Sequence, residues 1–312
     1  MIISVSRRTD IPAFYSEWFF NRLKAGEVLV RNPMNARQIS QIKLTPDAVD
    51  GIVFWTKNPA PMLDRLYLLK DYTYYFQFTL NAYGKEIESG VPSKNRFVIP
   101  TFQRLSDLIG PDRIVWRYDP IFLNETYTID YHIYYFEKLA RRLSPYTRKC
   151  TISFLDSYRN TERKLASLSI RELTPALQDL LAKNLSEIAH SCGLQMDTCA
   201  EEIDLQQYGI QHARCIDDRL LAKLSDRPIN AKKDKNQRLA CGCVESVDIG
   251  AYNTCRYGCL YCYANFSPSA FHANRGRQDP KAPLLIGEVR PEDRITERKI
   301  RSCSAKKSKP GV

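Results

Sequence analysis

A chain of 312 residues, of which 44% are hydrophobic and 18 are tyrosines, is long enough to bury a large core in one barrel-sized domain or in two smaller ones. No apolar run approaches the ~20 residues of a membrane span, and Arg7 and Arg8 precede any signal-peptide core, so we expect a cytoplasmic protein without a membrane partner. The net charge of +11 is uneven, since residues 275–312 hold 11 Lys and Arg against 5 Asp and Glu. This excess leaves nucleic acid open as a partner.

Short β-rich runs alternate with helical patterns along most of the chain, which is typical of parallel β/α units. In chain order the predicted strands are 2–6, 28–31, 52–55, 74–80, 113–118, 150–154 and 194–199. The predicted helices are 12–25, 60–69, 102–109, 128–142, two segments within 160–191, and 216–224. Six or seven such units with right-handed crossovers predict a TIM-like (β/α) barrel or partial barrel over residues 1–230.

Three of these strands carry polar side chains on one face. Gln77 and Thr79 alternate with aromatic residues, and Thr151, Ser153 and Asp197 follow the same alternation. A solidly packed barrel prefers branched aliphatic side chains on its inner face. We therefore expect a wet lumen, with Gln77, Thr79 and Asp197 on its wall.

Cations follow three of the predicted strands, namely Arg7, Lys57 and Arg117. The carboxyl ends of barrel strands build active sites, so these side chains predict an anionic ligand such as a carboxylate or a phosphate. Salt bridges to nearby carboxylates are the alternative. Asn58 and Asp119, each directly before a proline, are equally well explained as helix caps.

The most specific motif comes late in the chain, where Cys255, Cys259 and Cys262 have the spacing C-x3-C-x2-C. Three thiolates on one short loop can hold three corners of a [4Fe-4S] cluster and leave one iron open. Gly258 permits the positive φ that a tight wrap requires, and Tyr261 places an aromatic ring before the last cysteine. Structural zinc and a disulfide are weaker alternatives, because no fourth ligand has a usual spacing and the expected compartment is reducing.

This motif resembles that of the radical SAM superfamily, and the run Tyr261-Cys-Tyr-Ala264 is most similar to the branch of spore photoproduct lyase. The resemblance implies a [4Fe-4S] cluster whose open iron binds S-adenosylmethionine, with Tyr261 beside the adenine. It further implies an electron donor such as flavodoxin or ferredoxin, and reductive cleavage of the cofactor to a 5′-deoxyadenosyl radical that acts on an unknown small-molecule or nucleic-acid substrate. The runs at 6–15, 53–59, 116–121 and 252–259 also resemble an uncharacterised bacterial family whose C-terminal cysteines are likened to the radical SAM cluster.

The position of the triad departs from the superfamily, in which the cysteines follow the first strand. Here 254 residues precede Cys255. The pair Gly287-Glu288 is a faint echo of the superfamily's Gly-Gly-Glu motif. We expect a permuted arrangement, in which a cluster-binding segment at 231–290 packs on the barrel and a basic, disordered tail follows at 291–312.

Four further cysteines precede the triad: Cys199, Cys215, Cys241 and Cys243. They predict a second [4Fe-4S] cluster or a structural zinc site that ties the barrel to the cluster-binding segment, the alternative being unpaired buried thiols. Cys199 is also a candidate catalytic hydrogen-atom donor. Two other functions compete with a radical enzyme, namely an iron-sulfur protein for electron transfer or sensing and a zinc-containing nucleic-acid-binding module.

Overall fold

The computed structural model describes residues 1–156, 161–300 and 302–303. Its strands are β1 (Ile2–Val5), β2 (Glu27–Arg31), β3 (Gln38–Lys43), β4 (Gly51–Thr56), β5 (Tyr74–Thr79), β6 (Ile114–Ile121), β7 (Lys149–Phe154), β8 (Gln195–Thr198), β9 (Gln211–His212), β10 (Val247–Asp248) and β11 (Arg294–Glu297). Its α-helices are α1 (Ile11–Phe14), α2 (Ser16–Ala25), α3 (Ile99–Ile109), α4 (Ile129–Leu143), α5 (Glu162–Leu165), α6 (Pro175–Ser191), α7 (Asp218–Ser225) and α8 (Pro268–Arg275). Five 3₁₀ helices (Ala60–Leu69, Pro111–Arg113, Ser144–Tyr146, Ala166–Leu168, Gln206–Tyr208) and a π-helical turn (Lys94–Val98) complete the described elements.

Eight parallel strands form the main sheet in the spatial order β10-β1-β4-β5-β6-β7-β8-β9. The six predicted strands from 2–6 to 194–199, leaving aside 28–31, all lie in this sheet. The two outermost strands, β9 and β10, are two residues long and were not predicted. Within the described part of the chain no strand pair joins β9 to β10, so the hydrogen-bonded strands form an open α/β sheet.

The two faces of the main sheet have different surroundings. Phe54 and Phe76 belong to the principal core, which the helices share. Val53 and Tyr75, on the opposite face, join a second core with residues of the segment 213–244. The tyrosine hydroxyl donates to the carbonyl of Cys215 at 2.6 Å, which fixes this segment across the sheet. Alternate side chains of the strands thus belong to two separate cores, one shared with the helices and one shared with the segment 213–244.

A small second sheet has the order β11-β3-β2, with β2 antiparallel and β11 parallel to β3. The predicted strand 28–31 is therefore real, but it lies outside the main sheet. The expectation of a disordered tail from residue 291 is wrong for β11, because its backbone pairs with the edge of β3. Residues 301 and 304–312 of that tail, and residue 160 of a predicted helical region, lie outside the described residues.

The helices begin and end at residues that explain their bounds. The predicted helix 12–25 is divided into α1 and α2 at Tyr15, whose φ of −137° is not helical. Asp10 caps α1 by accepting a hydrogen bond from Ala13 N at 2.9 Å, and Gly26 ends α2 in the left-handed conformation. The predicted helix 216–224 starts two residues later, because the Asp217 side chain caps the first turn of α7.

Candidate functional site

The carboxyl ends of the main-sheet strands open onto a cavity of ≈ 980 Å³. Seven of the ten cysteines contribute to its wall: Cys199, Cys215, Cys241, Cys243, Cys255, Cys259 and Cys262. Five of the seven predicted cofactor-binding residues line it too: Arg7, Lys57, Thr79, Arg117 and Tyr261. The other two are buried outside the wall, where Gln77 donates to the carbonyl of Cys215 at 2.8 Å and Asp197 pairs with Lys149.

The triad loop follows β10, which lies beside β1 at one edge of the main sheet. Cys255 comes seven residues after Asp248, the last residue of β10. The carboxylate of Asp248 accepts hydrogen bonds from Ser4 Oγ (3.0 Å), Ser6 Oγ (2.6 Å), Arg7 N (2.8 Å) and Gly250 N (3.0 Å). The first three donors fasten the short strand, and with it the start of the triad loop, to the end of β1, and the fourth is a local bond at the start of the loop.

Residues 87–90 hold the middle of the triad loop from the other side. The contacts are an antiparallel bridge between Glu88 and Cys259 and hydrogen bonds from Gly90 N to Tyr257 O (2.8 Å) and from Leu260 N to Ile87 O (3.0 Å). Gly258 has a φ of +64°, as its place in the motif predicts, and a Cβ there would lie 2.7 Å from the hydroxyl of Ser89. The loop is therefore wrapped tightly against this segment.

The three thiols of the triad are buried or half-buried on the same cavity wall. Burial, and after it repulsion from Cys262, raises the pKa of Cys255 well above its usual range. Burial also raises the pKa of Cys259 to about 12, against the opposing charge of Lys57. The thiols are thus close enough to one another for the ionisation of one to disfavour that of the next.

The fit of these residues to a metal group rests on their donor chemistry. Among the residues that the structure describes, no three or more His, Cys, Asp or Glu side chains form a group that could hold a metal ion as they stand. The triad nevertheless supplies the donors that a cluster requires, because three cysteines of one loop share a cavity and interact electrostatically. Cluster binding would have to draw the three sulfurs around a common centre and remove their protons.

A buried carboxylate beneath the triad organises two of the predicted residues. Glu88 is 1% exposed and pairs with Lys57 Nζ at 2.7 Å and with Lys94 Nζ at 2.8 Å. The hydroxyl of Tyr261 donates to the same carboxylate, and Asn81 Nδ2 donates to that hydroxyl at 3.2 Å. Burial favours the protonated carboxyl, but the two ammonium groups outweigh it and lower the pKa of Glu88 to about 2. Lys57 is therefore the partner of a carboxylate, and Tyr261 is held with its ring toward the cavity.

Arg117 is likewise engaged by an internal partner. Its guanidinium donates to Asp119 Oδ2 from Nε at 2.8 Å and to Cys215 Sγ from Nη1 at 2.9 Å. Asp119 lies within β6, so the prediction that it caps a helix is wrong. The Asn58 side chain accepts from Ala60 N at 3.4 Å, but the N-cap of the 3₁₀ helix is Pro59, and the helix has no side-chain cap. The salt-bridge alternative thus accounts for two of the three predicted cations.

Arg7 differs from the other two cations. Its Nη2 is buried and has no hydrogen-bond partner within the described ranges. The guanidinium lies 5.4 Å from the ring centroid of Trp55, and that of Arg117 lies 5.2 Å from the same centroid. Burial lowers the pKa of Arg7, but nearby negative charges outweigh it and raise the pKa, with the largest contributions from Cys243 and Cys215. A positive, incompletely satisfied group thus faces the thiols at this side of the cavity.

The four further cysteines belong to one side-chain cluster. Cys215 Sγ donates to Cys199 Sγ at 3.1 Å, and the backbone N–H of Ile216 donates to Cys243 Sγ at 3.4 Å. The hydrogen bond with Cys243 lowers the pKa of Cys241 to about 7, although burial opposes it. The four cysteines therefore share one cluster on the cavity wall, and their binding of a metal stays a prediction.

Sequence analysis missed several residues that shape the site, above all Glu88, Asp248 and Trp55. Glu88 stands in an irregular segment and Asp248 in a two-residue strand, where no periodicity marks them, and only their neighbours reveal their role. The Gly287-Glu288 echo lies elsewhere, because Glu288 is exposed and its carbonyl accepts from Arg31 beside the small sheet. It does not line the cavity.

No helix in the described ranges combines the length and the hydrophobicity that a membrane-spanning segment needs. No curated protein matches the chain. One family model does match, from residue 2 to residue 264, and this range includes the whole main sheet and all three cysteines of the triad. The chain therefore belongs to the family described as domain of unknown function DUF1848.

Proposed function

We propose that the chain is a cytoplasmic radical SAM-like iron-sulfur enzyme, in which Cys255, Cys259 and Cys262 hold a [4Fe-4S] cluster at the carboxyl edge of a partial β/α barrel. The observation that carries this proposal is the place of the triad loop directly after β10, the neighbour of β1. In the superfamily that the triad resembles, the cysteines follow the first strand of the barrel. β10 comes tenth among the strands in the chain but lies at the edge of the sheet beside β1, which supports its standing in for that first strand.

The chemistry supplied by the bound groups would be reductive cleavage of S-adenosylmethionine, with an electron from a donor such as flavodoxin or ferredoxin. The residues of this chain would hold those groups and keep water from them. Tyr261 is 9% exposed and fixed through Glu88, so its ring presents a rigid apolar surface to the cavity. Thr79 and Arg7 remain on the cavity wall as polar contacts.

The size of the cavity favours a small-molecule substrate. Its volume of ≈ 980 Å³ lies at the upper end of the ~300–1,000 Å³ of small-molecule sites. Such a space can contain a cofactor and a modest substrate together. The basic charge of the chain keeps nucleic acid as the second substrate class.

The proposal is tested by anaerobic reconstitution with iron and sulfide, followed by metal and sulfide counts. The wild type is compared with a Cys255→Ala, Cys259→Ala, Cys262→Ala triple variant and with Cys192→Ala, a half-buried cysteine outside the cavity. We expect about four irons per chain that are lost with the triad and kept in the control. The reduced wild type should then release 5′-deoxyadenosine from S-adenosylmethionine.

Three results would count against the proposal. Equal iron content in the wild type and the triple variant would remove the cluster from the triad. A full, reducible cluster without 5′-deoxyadenosine would favour an electron-transfer or sensor protein. Zinc without iron or sulfide, together with salt-sensitive nucleic-acid binding, would favour a nucleic-acid-binding module.

A further inference from the structure

We propose that Cys199, Cys215, Cys241 and Cys243 bind one divalent metal ion of the zinc class in a tetrathiolate site separate from the triad. The first support is that all four cysteines pack in one side-chain cluster on the cavity wall, with Cys215 Sγ 3.1 Å from Cys199 Sγ. Four cysteines are the full ligand set of a closed structural zinc site. The site goes beyond the proposed function, because it uses none of the triad cysteines.

The backbone brings these thiols together from three separate segments. Cys199 directly follows β8, Cys215 lies between β9 and α7, and the pair Cys241 and Cys243 precedes β10. Hydrogen bonds fasten the segments to one another, from Ala213 N to Thr198 O (2.7 Å) and from Val244 N to Ile216 O (3.2 Å). Because backbone hydrogen bonds bring these segments together, the proximity of the cysteines does not depend on the choice of side-chain rotamers.

Gly242 shows how closely the last segment approaches. A Cβ at this position would lie 2.6 Å from the carbonyl oxygen of Ala213, a distance that real Cβ atoms do not reach. Only glycine between Cys241 and Cys243 therefore allows this segment to lie so close to Ala213, and both cysteines to lie near Cys215. The sequence Cys-Gly-Cys is thus explained by the approach of two backbones.

Two donors are aimed at sulfurs of this set. The backbone N–H of Ile216 donates to Cys243 Sγ at 3.4 Å, and the guanidinium of Arg117 donates to Cys215 Sγ at 2.9 Å. Arg7, with its unpartnered Nη2, adds a second positive charge near Cys215 and Cys243. An ordinary core of neutral thiols has no use for guanidinium groups, whereas the thiolates around a divalent ion carry a net negative charge.

The spacing of the sulfurs favours a single ion over a cluster. Zinc–sulfur bonds of about 2.3 Å in a tetrahedron place the sulfurs about 3.8 Å apart. The 3.1 Å between Cys199 and Cys215 has only to open by roughly 0.7 Å, whereas the corners of a four-iron cube hold their cysteines farther apart. As they stand the described residues form no ready metal-holding group, so binding would have to rearrange the four thiols around the ion. Cys199 is then a ligand and not a hydrogen-atom donor.

The test uses the full chain with Cys255→Ala, Cys259→Ala and Cys262→Ala, which leaves the second set intact, produced with zinc and iron both supplied. We expect about one zinc per chain, no iron or sulfide, and four thiols that react with a thiol reagent only after a strong chelator is added. Adding Cys241→Ser and Cys243→Ser should abolish the zinc, whereas adding Cys192→Ser should not. Exchange with Co²⁺ should give the charge-transfer absorption of a tetrahedral thiolate site.

Several outcomes would overturn the assignment. Four irons retained in the triad variant would make the site a cluster. A mass two hydrogens lower, with no metal, would show a Cys199–Cys215 disulfide. Four reactive thiols without chelator would show unliganded cysteines, and this readout needs no further substitution that could prevent folding. Failure of the proposed radical chemistry would change none of these results, since the triad is absent throughout.

Discussion

Replacing Glu88 by glutamine should destabilise the protein by about 3 kcal/mol or more. Glu88 is the shared partner of Lys57 and Lys94, which are themselves mostly buried, with side-chain exposures of 13% and 20%. The neutral amide leaves both ammonium groups without a counterion, and breaking a buried ion pair in this way costs about 3–5 kcal/mol. The lower end applies here because a lysine at 20% exposure retains contact with water. Such a loss is a large share of the ~5–15 kcal/mol that stabilises a typical domain.

The assay is urea unfolding followed by circular dichroism, with the iron content of the reconstituted protein measured in parallel. The matched control is Glu137→Gln, the same chemical change in an exposed pair with Arg141, where we expect a loss within about 0.5 kcal/mol. Iron content should fall in Glu88→Gln alone, because Tyr261 and the bridge to Cys259 tie this residue to the triad loop. A loss below about 1 kcal/mol would refute the argument that Glu88 carries the charge balance beneath the loop.

Two further predictions concern the core and the loop contact. Burial lowers the pKa of His132 to about 4. Between pH 6.5 and pH 4 the unfolded chain therefore binds a proton that the folded chain does not. The free energy of unfolding should decrease by up to roughly 3 kcal/mol as the pH is lowered through this range. His132→Gln should flatten the pH dependence of the unfolding free energy and exposed His190→Gln should not; identical slopes would contradict the assignment. Gly90→Ala should lower stability by about 1–3 kcal/mol and reduce triad metal content, since its Cβ would lie 2.8 Å from Tyr257 Cα. Gly276→Ala, whose nearest neighbour is 4.0 Å away, is the control, and equal effects of the two changes would remove the steric explanation.

The six predicted main-sheet strands were readable because buried parallel strands leave runs of β-branched and aromatic residues in the sequence. β9 and β10 left no such run, since two residues cannot show a period. The polar faces were also predictable, because Gln77, Thr79 and Asp197 alternate with core residues. Their roles were not, because Gln77 and Asp197 satisfy internal partners that come from distant parts of the chain.

The cations at the strand ends show the same limit. Their place at one edge of the sheet followed from the parallel order of the strands, and the structure puts Arg7, Lys57 and Arg117 around one cavity. Asp119, two residues from Arg117, was open to prediction as a salt-bridge partner, whereas Glu88, the partner of Lys57, could not be predicted because it lies in an irregular loop. Sequence thus indicates which charges meet, while tertiary contacts decide which of them is left for a ligand.

The order of elements along the chain matters less to this site than the order of strands in space. β10 contributes only two residue pairs with β1, so its position depends on the three hydrogen bonds from Ser4, Ser6 and Arg7 to Asp248 as much as on strand pairing. A triad that starts near residue 255 is thereby delivered beside a strand that starts at residue 2. The family match ends at residue 264, two residues past Cys262. The matched region therefore includes the triad loop at this edge of the sheet. The late position of the cysteines is therefore a property of chain connectivity, and the site itself is assembled where the first strand of the chain ends.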